Sequence, residues 1–290
     1  MRIDFRFLRW VGSVAVLVGL GQAAGCTTED NDAPGTGGSG GTGTTPATNG
    51  GAAGGTTGTV TSAASGGGLA CAKQTVLTKP GIADFDSYDG AADLTSWSFA
   101  LGGDSSSGIF AGAFGYGDRA GNVAETFDMS TGHTPPYAMR IADSMALEWG
   151  GGMGVWISGC LDATAFSGIS FWVRGIAPTA TAKISLFMKQ TTSSVPAQST
   201  SKTGTCPGVT DTTCIHPKYE FEVTDTWTEV KVPWAAFTPG DADGTPVPAD
   251  GSSIWQIQFD IGLMWMPDAA GTYLPVPAAY ELVVDDLTFY

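Results

Sequence analysis

The run Ile169-Ser170-Phe171-Trp172-Val173-Arg174 puts Ile169, Phe171 and Val173 on one side of an extended chain and Ser170, Trp172 and Arg174 on the other. That is the two-residue period of a half-buried strand. The same alternation runs through residues 153–158, 184–189 and 254–261, and further stretches of strand character cover 138–142, 219–223, 228–232 and 280–289. Clusters of Gly, Pro, Asp and Ser separate them, as turns between antiparallel strands do. No segment carries a capped period of 3.6, so helix is expected to be confined to a turn or two. A chain with 42 Gly, 10% aromatic and only 14% charged residues suits strands and turns better than a helical bundle. The predicted fold class is all-β: a two-sheet antiparallel β-sandwich of jelly-roll form over residues 71–290, a length at which one sandwich is normal.

Parity also assigns faces. Ile169, Phe171 and Val173, with Ile184, Leu186 and Met188, Met153, Val155 and Ile157, and Ile257, Phe259 and Ile261, are the predicted core. The opposite sets collect Trp156, Trp172, Arg174, Phe187, Lys189, Gln256, Gln258 and Asp260. A pyranose has apolar C–H patches that lie against an indole or phenyl face, and hydroxyls that need donors and acceptors at fixed positions. These eight residues supply both chemistries and form the expected ligand-binding platform. The 28 Asp+Glu against 13 Lys+Arg, a net charge of −15, argue against nucleic acid or an anionic membrane surface as the main partner.

The first 25 residues read as a secretory signal. Arg2, Arg6 and Arg9 precede an apolar run, 11–20, that is too short to span a bilayer. The run leads into Gln22-Ala23-Ala24-Gly25-Cys26, and small residues directly before a cysteine resemble a bacterial lipobox, although Ala23 stands where that motif usually has Leu. The resemblance implies cleavage before Cys26 and lipid on its thiol, which would anchor the chain to a membrane without a spanning helix. Thr27, rather than Asp, follows the cysteine, which by the same resemblance favours the outer membrane or cell surface. Residues 27–70 hold 14 Gly, no aromatic and three charges, too little apolar surface to offset ordering entropy, so 26–70 is expected to be a disordered Gly/Thr/Ser tether.

Four cysteines remain, an even number that suits an oxidising compartment and two disulfides. Sequence allows three connectivities. A nine-residue polar loop with Pro207 and Gly208 favours Cys206 with Cys214, leaving Cys71 with Cys160. A metal cluster is the weaker reading, since no C-x₂-C spacing occurs and His133 and His216 are the only histidines.

Several strings together resemble the galactose-binding-like jelly-roll carbohydrate-binding modules, nearest to family 11. They are D-F-D-S-Y-D-G from Asp84, W-G-G-G-M-G from Trp149, G-I-S-F-W-V-R-G from Gly168, C-I-H from Cys214, W-T-E-V-K-V-P-W from Trp227, I-Q-F from Ile257 and V-V-D-D-L-T-F from Val283. The resemblance covers roughly 82–290 and implies a concave face that binds β-glucan-type chains, and in many members a structural calcium. For calcium, Asp84 and Asp86 in the first strand and Asp285 and Asp286 in the last are the candidate ligands, because a jelly roll places its terminal strands side by side and four close carboxylates would repel without a cation. Strict alternation would group Asp285 with Val283, Leu287 and Phe289 and turn Asp286 the other way.

The expected function is therefore non-catalytic polysaccharide binding by a monomeric, lipid-anchored envelope protein. The alternative is an adhesion or structural lipoprotein without glycan specificity. Hydrolysis is the weaker reading: Glu125, Glu148, Glu220 and Glu222 lie in no catalytic string, and His133 and His216 sit where ordering a loop is the simpler role. The anchor makes a direct prediction. Cys26→Ser should move the protein from the membrane to the soluble fraction and abolish incorporation of labelled palmitate; continued labelling and membrane fractionation would contradict it.

Overall fold

The computed structural model describes Cys71, Leu94, Ser105 and residues 74–90, 97–103, 108–117, 126–194, 204–208 and 213–290, with the backbone of Gly68–Leu69 and Lys202–Thr203. The predicted signal, Cys26, the tether as far as residue 67 and Glu125 lie outside them.

Thirteen strands build the two sheets. In chain order they are β1 (Gln74–Val76), β2 (Gly81–Ala83), β3 (Ser98–Ala100), β4 (Phe110–Gly117), β5 (Thr126–Thr131), β6 (Tyr137–Ala146) and β7 (Gly150–Asp162). They continue with β8 (Gly168–Ile176), β9 (Thr181–Met188), β10 (Lys218–Glu222), β11 (Thr228–Pro233), β12 (Ile254–Gly262) and β13 (Ala278–Phe289). A seven-stranded sheet has the order β10-β9-β12-β7-β4-β3, with β1 also on β7; a six-stranded sheet has the order β11-β8-β13-β6-β5, with β2 also on β13. All these pairs are antiparallel except β1 with β7. The eight stretches read as strands from alternation fall within or within one residue of β6 to β13, and helix among the described residues is limited to short 3₁₀ turns. Gly68–Leu69, inside the predicted tether, pairs in parallel with Lys202–Thr203.

The core is the aliphatic set that parity selects. Ile169, Phe171 and Val173 on β8, Ile184, Leu186 and Met188 on β9, Met153, Val155 and Ile157 on β7, and Ile257, Phe259 and Ile261 on β12 are buried together. Phe171 joins the layers, its ring edge-on to Phe259 at 5.0 Å and to Phe221 at 5.1 Å in the other sheet.

Alternation fails within β13. Asp286 has a positive φ of 50°, and the pairing of β13 with β8 shifts register between Asp285 and Thr288. This bulge re-aims the strand. Leu282 and Val284 before it and Leu287 and Phe289 after it all enter the core, while Val283 and Asp285 turn the other way. Asp285 therefore does not share a face with Leu287 and Phe289.

Two disulfides form, Cys71–Cys160 and Cys206–Cys214, closing 89- and 8-residue separations. Chain entropy gives them about 4.5 and 2.5 kcal/mol respectively. Phe171→Ala should lower unfolding stability by about 3–5 kcal/mol, seen as a lower denaturant midpoint at unchanged m value. A loss below about 1 kcal/mol would show that the rings do not join the two sheets.

Candidate functional site

On the outer face of the seven-stranded sheet, β9, β12, β7 and β4 bring their side chains into rows. The rows read Phe187–Gln256–Trp156–Gly112, Ser185–Gln258–Gly154–Phe114 and Lys183–Asp260–Gly152–Tyr116. Rings and glycines occupy β7 and β4 in opposite phase, so every ring faces a glycine across the ladder. A Cβ on Gly112 would stand 2.5 Å from the Trp156 indole, and one on Gly154 would come within 2.7 Å of the Phe114 ring. A Cβ on Gly152 would collide with the Tyr116 phenol. The missing side chains let the rings lie down on the sheet.

The rings form a line. Phe114 stacks beside Tyr116 with centroids 6.2 Å apart and planes at 17°, and Tyr116 beside Trp149 at 5.8 Å and 23°. Trp149, in the turn before β7, is 43% exposed. At the far end Phe110, 49% exposed, donates its backbone N–H to Ser158 Oγ at 3.0 Å.

A polar strip on β12 runs beside this line. Gln256 Nε2 donates to Gln258 Oε1 at 3.1 Å, Gln258 Nε2 donates to Asp260 Oδ1 at 2.9 Å, and the Tyr116 hydroxyl donates to the same oxygen. Burial pushes the Asp260 carboxyl above its ordinary range, against hydrogen bonds from Tyr116 and Gln258 that pull it down. Burial and the neighbouring Asp260 hold the Tyr116 phenol far above its ordinary value, so it stays a donor. Apolar ring faces beside a chain of amides and a carboxylate can hold a ligand that presents C–H patches and hydroxyls together.

Of the eight residues expected on one surface, Trp156, Gln256, Gln258 and Asp260 share it. Phe187 is in register with them, but His216 lies over it at 3.7 Å and Trp255 meets it edge-on at 5.5 Å. Lys189 sits in the 3₁₀ turn Lys189–Thr191 after β9, off the ladder. Trp172 and Arg174 lie on the outer face of the six-stranded sheet, because β8 pairs with β11 and β13. Alternation fixes the side of a strand from which a residue projects, and pairing decides which sheet that side belongs to. Phe110, Phe114, Tyr116 and Trp149 were missed; the signal for the central pair was Phe-Gly-Tyr in Phe110–Gly117, with Phe and Tyr at one parity.

The six-stranded sheet's outer face is occupied differently. The His133 ring stacks on Trp172 at 3.6 Å and 9°, and the Arg174 guanidinium lies 5.2 Å from the Trp227 ring centre. Arg140 bridges Asp128 and Glu281 at the floor of a shallow cavity of about 340 Å³, also lined by Asp143, Ser144 and Tyr280. Glu148, Glu220 and Glu222 are exposed, the last two on the sheet-edge strand β10.

The four aspartates expected to hold calcium do not form one donor set. β2 does pair with β13, but it ends at Ala83, so Asp84 and Asp86 follow that strand and do not lie in it. Asp84 is exposed and accepts the Asp86 N–H, Asp86 accepts from Tyr137 N, and Asp285 accepts from Thr134 N and Asp286 N. Asp286 binds His133 Nδ1 at 3.0 Å and Thr134 Oγ1 at 2.9 Å. No group of three or more Asp, Glu, His or Cys suited to a metal occurs among the described residues, and these four do not fit a cation needing six to eight oxygens. Asp285 and Asp286 instead hold the 132–134 loop over Trp172, and His133 orders that loop. Burial and the adjacent Asp286 charge raise Asp285 to about 6 against the pull of backbone hydrogen bonds.

No protein-family model and no curated protein matches the chain. Among solved structures it is similar to a family 11 carbohydrate-binding module from Clostridium thermocellum in complex with a β-1,3-1,4-mixed-linked tetrasaccharide. The identity there is 14%, covering 73% of this chain and 94% of that one, at a TM-score of 0.39. It is also similar to a family 30 carbohydrate-binding module, at 13% identity over 60% of this chain and 90% of that one, TM-score 0.36. A third similar structure is an exo-β-agarase, 8% identical over 61% of this chain and 22% of the enzyme, TM-score 0.34.

His216 tests how firmly the Phe187 corner is closed. Its Nδ1 is 2.8 Å from Thr191 Oγ1, and burial lowers its pKa from 6.5 to about 4. The folded chain thus keeps His216 neutral where the unfolded chain has already taken a proton. The resulting stability is full above pH 6.5 and is lost as pH falls towards 4. In thermal melts across that window, the native chain should lose Tm with falling pH more steeply than His216→Asn. Equal slopes would mean that the histidine is solvated.

Proposed function

We propose that the chain is a non-catalytic carbohydrate-binding protein, held at the cell envelope by lipid on Cys26, that takes a β-glucan-type chain along the outer face of its seven-stranded sheet. The observation that carries this reading is the line of rings seated on glycines beside the Gln256–Gln258–Asp260 strip. Successive pyranoses would lay their C–H faces on Trp156, Phe114, Tyr116 and Trp149. Their hydroxyls would reach the amides and carboxylate of β12. An open sheet face buries only one side of a ligand, so affinity is gathered over several sugar units rather than in one deep pocket.

Binding without cleavage suits this surface. A glycosidase sets two carboxyl groups about 5–9.5 Å apart across the scissile bond. Along the rows of β9, β12, β7 and β4, Asp260 is the only carboxylate, and it is engaged by Tyr116 and Gln258.

Affinity electrophoresis of the full chain in gels containing mixed-linked β-glucan, xylan or mannan tests the proposal. The native protein should be retarded in the β-glucan gel with no release of reducing ends. Trp156→Ala should reduce the retardation about tenfold or more, the loss of a stacked ring at the centre of the site, and Trp172→Ala should leave it intact. Retardation that is lost with Trp172 and kept without Trp156 would move the site to the other sheet, and reducing-sugar release would make the protein an enzyme.

A further inference from the structure

Between β12 and β13 the chain makes a hairpin, Trp265–Pro267 paired with Tyr273–Pro275, that belongs to neither sheet. Its turn is firmly closed: Asp268 N donates to Thr272 O at 2.8 Å, and Asp268 Oδ1 accepts from Ala270 N and Thr272 N at 2.8 Å each. Yet the ribbon is apolar on both sides and open to solvent. Trp265 is 50% exposed, Tyr273 65%, Met266 54% and Leu274 50%. Asp268 is the only charged residue between 263 and 277. An ordered ribbon that exposes this much apolar surface marks a contact site.

The position and chemistry of the ribbon select the occupant. Its foot is tied to the ring line: Leu263 N donates to Trp149 O at 3.3 Å, Val276 N to Met264 O at 2.7 Å, and Gly262 at the end of β12 pairs with Gly150. Trp149 in turn stacks on Tyr116. The hairpin therefore rises from the end at which the line of rings leaves the sheet. Pairing puts Trp265 opposite Pro275 and Pro267 opposite Tyr273, so one face carries two aromatic and two proline rings, while Met266 and Leu274 share the other. Flat rings suit a pyranose. The near absence of charge gives nothing for an ionic partner to pair with, and the chain's net −15 disfavours an anionic lipid surface.

We propose that the Trp265/Tyr273 face of this hairpin is a further stacking site for the same polysaccharide, lying beyond Trp149, which makes the protein select for chain length. The proposal rests on the binding reading above. The hairpin adds nothing for a short oligosaccharide seated on the sheet and tightens the hold on one long enough to reach past Trp149.

The test is titration of the full chain with β-1,3-1,4-glucan trisaccharide and hexasaccharide, followed by intrinsic tryptophan fluorescence and calorimetry. The native chain should bind the hexasaccharide more tightly than the trisaccharide. Trp265→Ala/Tyr273→Ala should weaken the hexasaccharide about tenfold, the loss of two ring contacts, while leaving the trisaccharide affinity and Tm unchanged. Met266→Ala/Leu274→Ala, on the opposite face, should change neither affinity. Equal losses for both lengths, no loss for either, or the same loss from the Met266/Leu274 variant would overturn the proposal while leaving sheet binding standing. Failure of the native chain to bind either oligosaccharide would overturn both. A native dimer in light scattering that the Trp265/Tyr273 variant converts to monomer would assign the face to a second copy of the chain and overturn the length-selection proposal.

Discussion

The rings of Trp156, Phe114 and Tyr116 lie flat on the outer face because each meets a residue without a Cβ across the β7–β4 ladder. In this sheet Gly112, Gly154 and Gly152 stand opposite Trp156, Phe114 and Tyr116, and the whole outer surface follows from that pairing. With any other residue at those three positions the rings would have to stand up or leave the face. Glycine in a strand interior costs stability through backbone entropy and lost packing. Here the cost falls on the central strands β7 and β4, whose other side is packed with Met153, Val155, Ile157, Ala111 and Ala113. The well-packed face offsets the weakness that the glycines introduce on the other.

The two outer faces of the sandwich are put to different uses. On the six-stranded sheet, Asp285 and Asp286 tie down the 132–134 loop and His133 is pressed on Trp172. The Trp172 region of that surface is covered by its own chain. On the seven-stranded sheet the described residues cover only the Phe187 corner, with His216 and Trp255, beside the Cys71–Cys160 disulfide that packs against Trp255. The rest of the face keeps its rings half-buried and its amides linked to one another. A ligand meets a surface whose polar groups are already oriented, so little side-chain ordering remains when it binds.

The architecture could be read from residue order because alternation and burial are the same fact: Ile169, Phe171 and Val173 alternate because one side of their strand faces the core. The cysteine pairing was equally legible, since a short polar loop leaves Cys206 and Cys214 close. The composition of the site was only partly so. Trp156 and Trp172 have the same local pattern, and nothing within either strand says that they end up on opposite sides of the molecule. That is decided by non-local pairing, β7 with β12 and β8 with β13. Phe114 and Tyr116 were hidden for a different reason. Phe110–Gly117 is rich in Gly and Ala, residues that weaken any strand signal, yet those glycines are what the rings require. What alternation misplaced was Asp285 relative to Leu287 and Phe289, because the bulge at Asp286 changes parity within β13, which no count of alternating residues can foresee.

The account makes one surface of one sheet responsible for recognition, with Trp172 on the opposite surface covered by its own chain. The most direct measurement is a ¹H–¹⁵N spectrum of the full chain, in which each tryptophan reports through its indole N–H, recorded as mixed-linked β-glucan oligosaccharide is added. The account predicts that the Trp156 and Trp149 indole resonances shift in a saturable way while those of Trp172 and Trp227 stay in place. Shifts confined to Trp172 and Trp227, or no shift at Trp156 at saturating oligosaccharide, would contradict it.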